Sequence, residues 1–279
     1  MTDDHGASAP RTVLPAEVID VVRRAEVITV FTGAGMSAES GVATFRDVET
    51  GLWERFDPTQ IATPQAWASD PGLVWAWYQW RARVVHAAAP NPGHNALAHL
   101  ERTHSVLIAT QNVDDLHERA GSSTVSHLHG SLFTPRCSNC GRPYHGVDAQ
   151  PEHAVHELRV EPPACPTCLS PIRPGVVWFG EGLPDDAWRS AESAFTFADV
   201  VLVVGTSGGV YPAAALPERA AARGIPVIEF NPEPSALSAM ASHSACMATA
   251  GLLAHRLKPL SAFLLLAVPG ICAFWHSTA

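Results

Sequence analysis

Four of the six cysteines form two C-x-x-C pairs, a spacing typical of a metal site. The pairs are Cys137 with Cys140 and Cys165 with Cys168, in a segment, residues 135–174, with many proline, glycine and serine residues. Four thiolates match a tetrahedral zinc ribbon, and because sulfur takes every position and leaves none for water, the zinc would be structural. A redox dithiol and thiols without a metal are the alternatives. A DNA-reading zinc module is disfavoured, because the segment has too few arginines for a basic face.

A glycine-rich run directly after a predicted strand is the second pattern with chemical meaning. Residues 27–31 are mostly β-branched or aromatic and indicate a buried strand, and Gly33, Gly35 and Ala38 then fit G-x-G-x-x-G/A. Such glycines let the backbone turn tightly against a phosphate at a helix N-terminus. Because glycines after a strand often serve only a turn, the loop alone leaves a dinucleotide site and a plain turn equally open.

Three further apolar runs predict strands of a parallel sheet, and each ends in polar residues. Polar clusters follow residues 106–109, 200–204 and 226–230, and they contain Gln111, Asn112, Asp114, Gly205, Thr206, Ser207, Gly209 and Asn231. Ligands of open α/β sheets bind beyond the carboxyl ends of the strands, so we expect four strand ends to face one crevice. Asn112 and Asp114 could bind a nicotinamide amide or ribose hydroxyls, and the alternative is an Asx turn with a helix cap.

A histidine also lies at a predicted strand end. His129 follows a β-like run and precedes Gly130. An imidazole can act as a base near neutral pH. Because the chain has 14 histidines, His129 taken alone would be a core or surface histidine, and its polar neighbourhood makes it a candidate base.

The element pattern that must position these residues predicts an α/β fold. We expect a Rossmann-like parallel sheet with helices on both faces, plus a smaller domain made of a helical insert and the four-cysteine zinc ribbon. The expected divisions are a Rossmann-like domain at residues 14–49, 97–132 and 174–257, a helical insert at 50–96, a zinc-binding module at 133–173, a flexible N-terminus at 1–13 and an atypical apolar tail at 258–279. Within them, residues 64–88 and 213–223 are predicted to be helical.

Composition excludes several classes of function. The 279 residues are 47% hydrophobic, which supports a real core, and 18 basic against 27 acidic residues give a formal charge of -9. This charge disfavours nucleic acid and anionic membranes as partners and favours a basic peptide partner.

The acidic, polar start resembles no secretory or transit signal, so we expect a cytoplasmic protein. The apolar residues 262–275 fall short of the roughly 20 needed for a membrane span, and none is expected.

Together, these motifs resemble those of one family, the sirtuins. In the order seen there, the chain carries TGAGMSAESGVATFR at 32–46, TQNVDDLH at 110–117, LHG at 128–130, the two C-x-x-C pairs, VVWFGE at 176–181, GTS at 205–207 and Asn231. The resemblance covers roughly residues 18–257, and the joint specificity of these motifs far exceeds that of any one. The chain is most similar to bacterial members of class III.

The resemblance implies an NAD-dependent protein lysine deacylase, which transfers the acyl group of lysine to ADP-ribose and releases nicotinamide. NAD would be a co-substrate bound by the Rossmann-like domain, with one structural Zn²⁺, and the partners would be acylated lysine side chains of proteins. His129 would be the catalytic base that deprotonates the ribose hydroxyls.

The family's other site residues carry over in two groups. The cofactor-binding group is Gly33, Ala34 and Gly35 at the pyrophosphate; Phe45 and Arg46 over the nicotinamide ribose; Ser37, Asn112 and Asp114 around nicotinamide; Gln111, Gly205, Thr206, Ser207 and Asn231 on the ribose and adenine side; and Ala245 at the adenine. The substrate peptide would add an extended strand between two segments, contacting Val177, Phe179, Gly209 and Val210.

Tyr78 and Arg81 resemble the Tyr-x-x-Arg signature of family members that remove succinyl and malonyl groups. Residues three apart share a helix face, and a phenol beside a guanidinium can hold the distal carboxylate of an acidic acyl group. Ala62 resembles the small residue of their acyl pocket. The implied activity is desuccinylation and demalonylation with some deacetylation. The alternative is that Tyr78 packs and Arg81 extends to solvent.

Two other functions stay open. Mono-ADP-ribosyl transfer to protein would use the same cleavage of nicotinamide with a different acceptor, and a zinc-containing NAD-binding scaffold would have no turnover. A hydride-transferring dehydrogenase is disfavoured, because no acidic residue ends a second strand about 20 residues past the glycine loop.

Overall fold

The computed structural model describes residues 15–43, 53, 57–146 and 157–246. The helices are α1 (Ala16–Arg24), α2 (Gly35–Ala38), α3 (Pro58–Ile61), α4 (Pro64–Ser69), α5 (Pro71–Ala87), α6 (Pro92–Leu100), α7 (Leu116–Ala120), α8 (Asp185–Phe197) and α9 (Ala215–Ala222). The strands are β1 (Val27–Thr32), β2 (Ser105–Thr110), β3 (Val125–His127), β4 (Arg136–Cys137), β5 (Ile172–Arg173), β6 (Val200–Val204), β7 (Val227–Asn231) and β8 (His243–Cys246). The predicted N-terminus, residues 1–13, and the predicted tail, residues 258–279, lie outside the described residues, as do Phe45 and Arg46.

A six-stranded parallel sheet forms the centre of the molecule, in the order β3-β2-β1-β6-β7-β8. β1 pairs with β2 on one side, where Thr32 is opposite Thr110, and with β6 on the other, where Thr32 is opposite Val204. The strand order therefore reverses between β1 and β6. At such a switch point the loops after the two strands leave the sheet in opposite directions and open a crevice.

Helices cover both faces of this sheet, as predicted. Ile28 and Val30 of β1 belong to the core cluster that includes α1 and α6, whereas Phe31 belongs to the cluster with α8 and α9. The alternation follows from the period of two of a β-strand. All five residues of β6 are buried, which is typical of a parallel strand covered on both sides.

The smaller part of the molecule contains α3, α4 and α5, and Trp67 of α4 and Trp75 of α5 pack with the cysteine ribbon. The stretch predicted to be helical over residues 64–88 consists of two helices, α4 and α5, because the chain leaves the helical conformation at Asp70 (φ -148°, ψ 78°). The Asp70 side chain accepts a hydrogen bond from Leu73 N (2.9 Å) and caps α5, and Pro71 fills its first position. The predicted domain boundary between residues 96 and 97 falls within α6.

The cysteine ribbon is a short antiparallel pair, β4 with β5, attached to α5. Trp75 of α5 packs with Cys137, Cys165 and Ile172 in a separate buried cluster. Because Tyr78 and Arg81 lie on the same helix, the ribbon and the expected acyl-binding residues share one supporting element. Among the described helices, none combines the length and apolar character required to cross a membrane.

Candidate active site

The loops that follow β1 and β6 pack directly against each other at the switch point, and glycines permit this contact. Gly33 N donates to Val204 O (3.1 Å) and Gly35 N donates to Gly205 O (2.8 Å). A Cβ at Gly33 would lie 2.7 Å from Thr206 Cβ, closer than real atoms approach. These two glycines therefore serve the contact between the loops, and half-exposed Ala34 between them is the position where a ligand would meet the first loop.

The helix after this loop is shorter than a typical phosphate-binding helix. α2 has four residues, so it contributes a single turn rather than a long row of aligned peptide dipoles. An anion at this edge would depend mainly on the nearby loop backbone and polar side chains.

A buried polar cluster lies beyond the end of β2. Ser37 Oγ donates to Asp114 Oδ2 (2.8 Å), and Asn112 Nδ2 donates to Ser37 Oγ (3.1 Å). Leu116 N donates to the other carboxylate oxygen of Asp114 (3.1 Å), which forms an Asx-type turn before α7. The structure therefore contains the Asx turn that the sequence offered as one alternative, while binding of a ligand by Asn112 and Asp114 stays a prediction.

Burial gives this cluster its electrostatic character. The relative exposure of Asp114 is 5% and that of Ser37 is 1%. Burial raises the pKa of Asp114, while the hydrogen bonds from Ser37 and Leu116 oppose that shift. A carboxylate with one hydroxyl donor and a neighbouring carboxamide can bind the amide of a small polar ring.

Thr206 joins the ends of β2, β6 and β7. Its hydroxyl accepts hydrogen bonds from Gln111 Nε2 (2.9 Å) and Gly208 N (3.2 Å), and its carbonyl accepts one from Asn231 Nδ2 (3.1 Å). The structure thus brings together the polar residues that the sequence placed at three strand ends. Ser207 and Gly209, which follow, are half-buried and exposed, so this edge is open to a ligand.

His129 is fixed by its side chain and by its backbone. Its Nδ1 lies 3.1 Å from Gln111 O, and its own carbonyl accepts a hydrogen bond from Val177 N (2.8 Å). Because a carbonyl only accepts, Nδ1 carries the proton and Nε2 keeps its lone pair. Burial lowers the pKa of His129 and the bond to Gln111 opposes this, so the imidazole is mostly neutral near pH 7. These are the properties of a general base.

Tyr78 and Arg81 are both buried on α5. Their relative exposures are 4% and 9%, so the alternative in which Arg81 extends to solvent is wrong. The Arg81 guanidinium lies 5.0 Å from the Trp77 ring centroid, and the Tyr78 ring meets Trp77 edge-on at 4.6 Å. Burial raises the pKa of Tyr78 strongly, against the charge of Arg81, which keeps the phenol a neutral donor.

The segment over residues 176–181 runs between His129 and Ala62. Phe179 N donates to Ala62 O (3.0 Å), while Val177 N holds the carbonyl of His129. Ala62 is buried in the same apolar cluster as Tyr78. This segment therefore links the candidate base to the candidate acyl pocket.

The position of that segment depends on a residue that the sequence analysis missed. Arg173 forms hydrogen bonds to both carboxylate oxygens of Glu181 (2.6 and 2.9 Å), and its guanidinium lies 3.4 Å from the Trp178 ring centroid. In the sequence, Arg173 is marked only as one charged residue within a mostly apolar stretch.

Phe179 and Val210 are large apolar residues that are 49% and 39% exposed near the open edge.

The four paired cysteines come together as predicted. Their sulfur atoms all lie within 4.8 Å of one another, and the Cys137–Cys168 and Cys140–Cys165 separations are 3.4 and 3.8 Å. Tetrahedral zinc with bonds near 2.3 Å requires sulfur atoms about 3.8 Å apart, so the cluster fits the ion. Backbone amides of Asn139 and Cys140 also donate to Cys137 Sγ, at 3.4 Å each. All four candidate ligands are sulfur, so a zinc ion held here would be structural.

One predicted adenine contact is described only in its backbone. Ala245 lies on β8, paired with Phe230 of β7, and its side chain is outside the described part of the chain. β8 itself was not predicted from the sequence.

Comparison with known proteins places this geometry in context. The model of the Sir2 family matches residues 33–212. The chain is 54% identical over 230 residues to the NAD-dependent protein deacylase of Mycobacterium tuberculosis, covering 81% of this chain and 96% of that protein. It is 51% identical over 231 residues to NAD-dependent protein deacylase 2 of Corynebacterium efficiens, covering 82% and 90%. A solved complex of a Sir2 homologue with NAD superposes with a TM-score of 0.83 at 40% identity, covering 92% of this chain and 98% of that one.

Proposed function

The chain belongs to the Sir2 family and is an NAD-dependent protein deacylase, and we propose that it acts preferentially on lysines that carry succinyl or malonyl groups. The observation that carries this preference is the burial of Tyr78 and Arg81 one helical turn apart, in the part of the molecule that contains Ala62. Deacetylation would be a weaker activity of the same site.

Physical chemistry supports an acidic acyl group in this pocket. A distal carboxylate would meet a guanidinium held away from bulk water, where charge-assisted hydrogen bonds are stronger than at a surface. The neutral phenol of Tyr78 would donate a second hydrogen bond. Ala62 has only a methyl group, which leaves room for the longer acyl chain. An acetyl group would gain none of these polar contacts.

The roles of the remaining residues follow from their positions. When bound, NAD supplies nicotinamide as a leaving group and the ribose that accepts the acyl group. Ser37, Asn112 and Asp114 would receive the nicotinamide amide, and Nε2 of His129 would accept a proton from a ribose hydroxyl. Ala34 would meet the pyrophosphate, with Gly33, Gly35 and Gly205 allowing the loops to close around it.

The open edge would hold the other ligands. Gln111, Thr206, Ser207 and Asn231 would line the ribose and adenine side, and the peptide backbone would lie between Val177 or Phe179 and Gly209 or Val210. We propose the same roles for Phe45, Arg46 and Ala245 as the family resemblance implies.

Acyl preference is tested with three versions of one peptide, carrying acetyl-, malonyl- or succinyl-lysine. We expect wild-type kcat/KM to be highest for the two acidic groups. In Arg81→Met, desuccinylation should fall by about 10- to 100-fold, as expected for the loss of charge-assisted hydrogen bonds, with little change in deacetylation.

Arg83→Met is the matched control. It removes the same charge from the same helix, two residues on and therefore on a different side. It should leave the ratio of desuccinylation to deacetylation unchanged. An equal loss on all three peptides in Arg81→Met would mean that Arg81 only supports the fold, and the proposed preference would be wrong.

A further inference from the structure

A second histidine lies on the same strand end as the candidate base. His127 is the last residue of β3, and His129 lies two residues further on, in the turn that follows the strand. Each contacts a carbonyl of the loop after β2: His129 Nδ1 lies 3.1 Å from Gln111 O, and His127 Nδ1 lies 3.1 Å from Asn112 O. Two imidazoles thus hold two consecutive peptide groups of one loop.

The two imidazoles differ in the contact made by their second ring nitrogen, Nε2. Nε2 of His127 lies 2.6 Å from Glu118 Oε1, on α7. Both partners of His127, a carbonyl and a carboxylate, only accept hydrogen bonds. A neutral imidazole has one N–H and can satisfy one of them, whereas an imidazolium satisfies both. The geometry therefore favours the cation at His127.

We propose that His127 is a positively charged positioning residue, which joins Glu118 to the Asn112 carbonyl and so fixes the loop that receives nicotinamide. This inference rests on the proposed role of Asn112, whose side-chain amide donates to Ser37 Oγ. It does not depend on the acyl preference.

The surroundings of His127 agree with a cation. Burial works to lower the pKa of His127, but the hydrogen bond and charge of Glu118, the Asn112 carbonyl and the charge of Asp114 together raise it above the ordinary value. The described titratable groups that face it are Glu118 and the buried, neutral His117 on α7, Asp114 in the loop, and, across an adjoining cavity of about 440 Å³, Arg136 of β4 and Asp186 of α8.

A charged His127 makes activity depend on pH on the alkaline side. A raised pKa means that the His127 cation is fully present at low pH and is lost as pH rises through that pKa. The hydrogen bond from His127 to the Asn112 carbonyl should weaken as pH rises through the pKa of His127, and kcat/KM for NAD should fall over the same pH range. Protonation of His129 would cause the separate fall on the acid side.

The test is the pH profile of kcat/KM for NAD, at saturating acyl peptide, in the full-length protein. Glu118→Gln removes the charge partner and should move the alkaline fall by about one unit to lower pH. Glu118→Asp should return it towards the wild-type position. His127→Gln should lower activity at pH 7 by about tenfold and show no alkaline fall in this range.

Glu192→Gln is the control, because it removes a carboxylate of α8 that pairs with Arg219. It should leave the profile unchanged. Nitrogen-15 NMR of the imidazoles gives a second measurement: at pH 6.5, the ordinary imidazole pKa, His127 should be mostly doubly protonated and His129 mostly neutral.

An alkaline fall that does not move in Glu118→Gln, or a mostly neutral His127 at pH 6.5, would overturn the inference. Neither result would change the acyl preference. Conversely, a wild-type protein that prefers acetyl-lysine would contradict the proposed preference and leave the test of His127 intact.

Discussion

At the scale of single residues, the chemistry of the site depends on which atom carries a proton. The Gln111 carbonyl places the proton of His129 on Nδ1, and this leaves Nε2 free to act as a base. Asp114 is buried beside Ser37, where a carboxylate with few donors attracts further polar hydrogens. Neither property is visible in the residue types alone, because both depend on partners brought from other elements.

The acid side of the pH profile tests the environment of His129. Burial lowers the pKa of His129, so the neutral base persists to a pH below its ordinary value of 6.5 and is lost only as pH falls through the lower value. We expect the fall of kcat/KM on the acid side to have its midpoint below pH 6.5. Steady-state assays of nicotinamide release between roughly pH 5 and pH 8 measure this fall. A midpoint of the acid-side fall above pH 6.5 would contradict the environment described for His129.

Sequence reasoning reached the candidate residues at this scale but not their contacts. The glycines, Asn112, Asp114 and His129 all follow apolar runs, so their location at strand ends was predictable. The pairing of His127 with Glu118 and of Arg173 with Glu181 was not, because each pair needs two elements at a fixed distance.

At the scale of elements, the site is the contact between two loops at a switch point of the sheet. Gly205 has φ +60°, and a Cβ there would lie 2.3 Å from Met36 N. The two loops can approach only because this position has no side chain.

A pair of glycine substitutions tests this contact. Gly224 has a similar φ of +81°, and a Cβ added there would meet no atom within 4 Å, so Gly224→Ala reports the backbone strain alone, about 1–2 kcal/mol. Gly205→Ala adds the clash and should cost a further 1–3 kcal/mol or so in the free energy of unfolding, with weaker NAD binding. Equal destabilisation of the two variants, measured by denaturant titration, would mean that the loops can separate without cost.

The strands were easier to predict than the helices. The run predicted over residues 200–204 coincides with β6, and the other three runs differ from β1, β2 and β7 by one residue at one or both ends. These strands are buried on both faces and therefore continuously apolar. The stretch over 64–88 is helical, but its break at Asp70, where a cap and a proline start a new helix, was not predicted. β8 was not predicted either, because it is a short edge strand whose pairing comes from β7.

At the scale of the whole molecule, the cysteine ribbon packs against α5, the helix that carries Tyr78 and Arg81. Trp75 packs against Cys137 and Cys165, while Tyr78 and Arg81 lie one turn or two further along the same helix. Loss of the metal should therefore disturb the acyl pocket before it disturbs the parallel sheet, whose core clusters are separate.

Metal analysis and chelation test this arrangement. We expect one zinc per chain, a fall of several degrees in Tm when a chelator removes it, and a larger loss in kcat/KM for the peptide than in NAD binding. Cys168→Ser should behave like the chelated protein, and Cys246→Ser, outside the two pairs, should not. Unchanged Tm and peptide turnover in the zinc-free protein would contradict the link through α5.

As a deacylase of this family, the molecule would break NAD and use its ribose as the acyl acceptor. The same strand ends could in principle serve transfer of ADP-ribose to a protein side chain, and the site would use His129 differently in that reaction. Only identification of the products distinguishes deacylation from ADP-ribosyl transfer.

The most direct measurement is mass spectrometry of all products from NAD and a succinyl-lysine peptide. We predict equal amounts of nicotinamide, free lysine peptide and O-succinyl-ADP-ribose, with the last two abolished in His129→Ala. ADP-ribose attached to the peptide or the protein, or an undiminished yield of O-succinyl-ADP-ribose in His129→Ala, would contradict the assignment of both the reaction and its base.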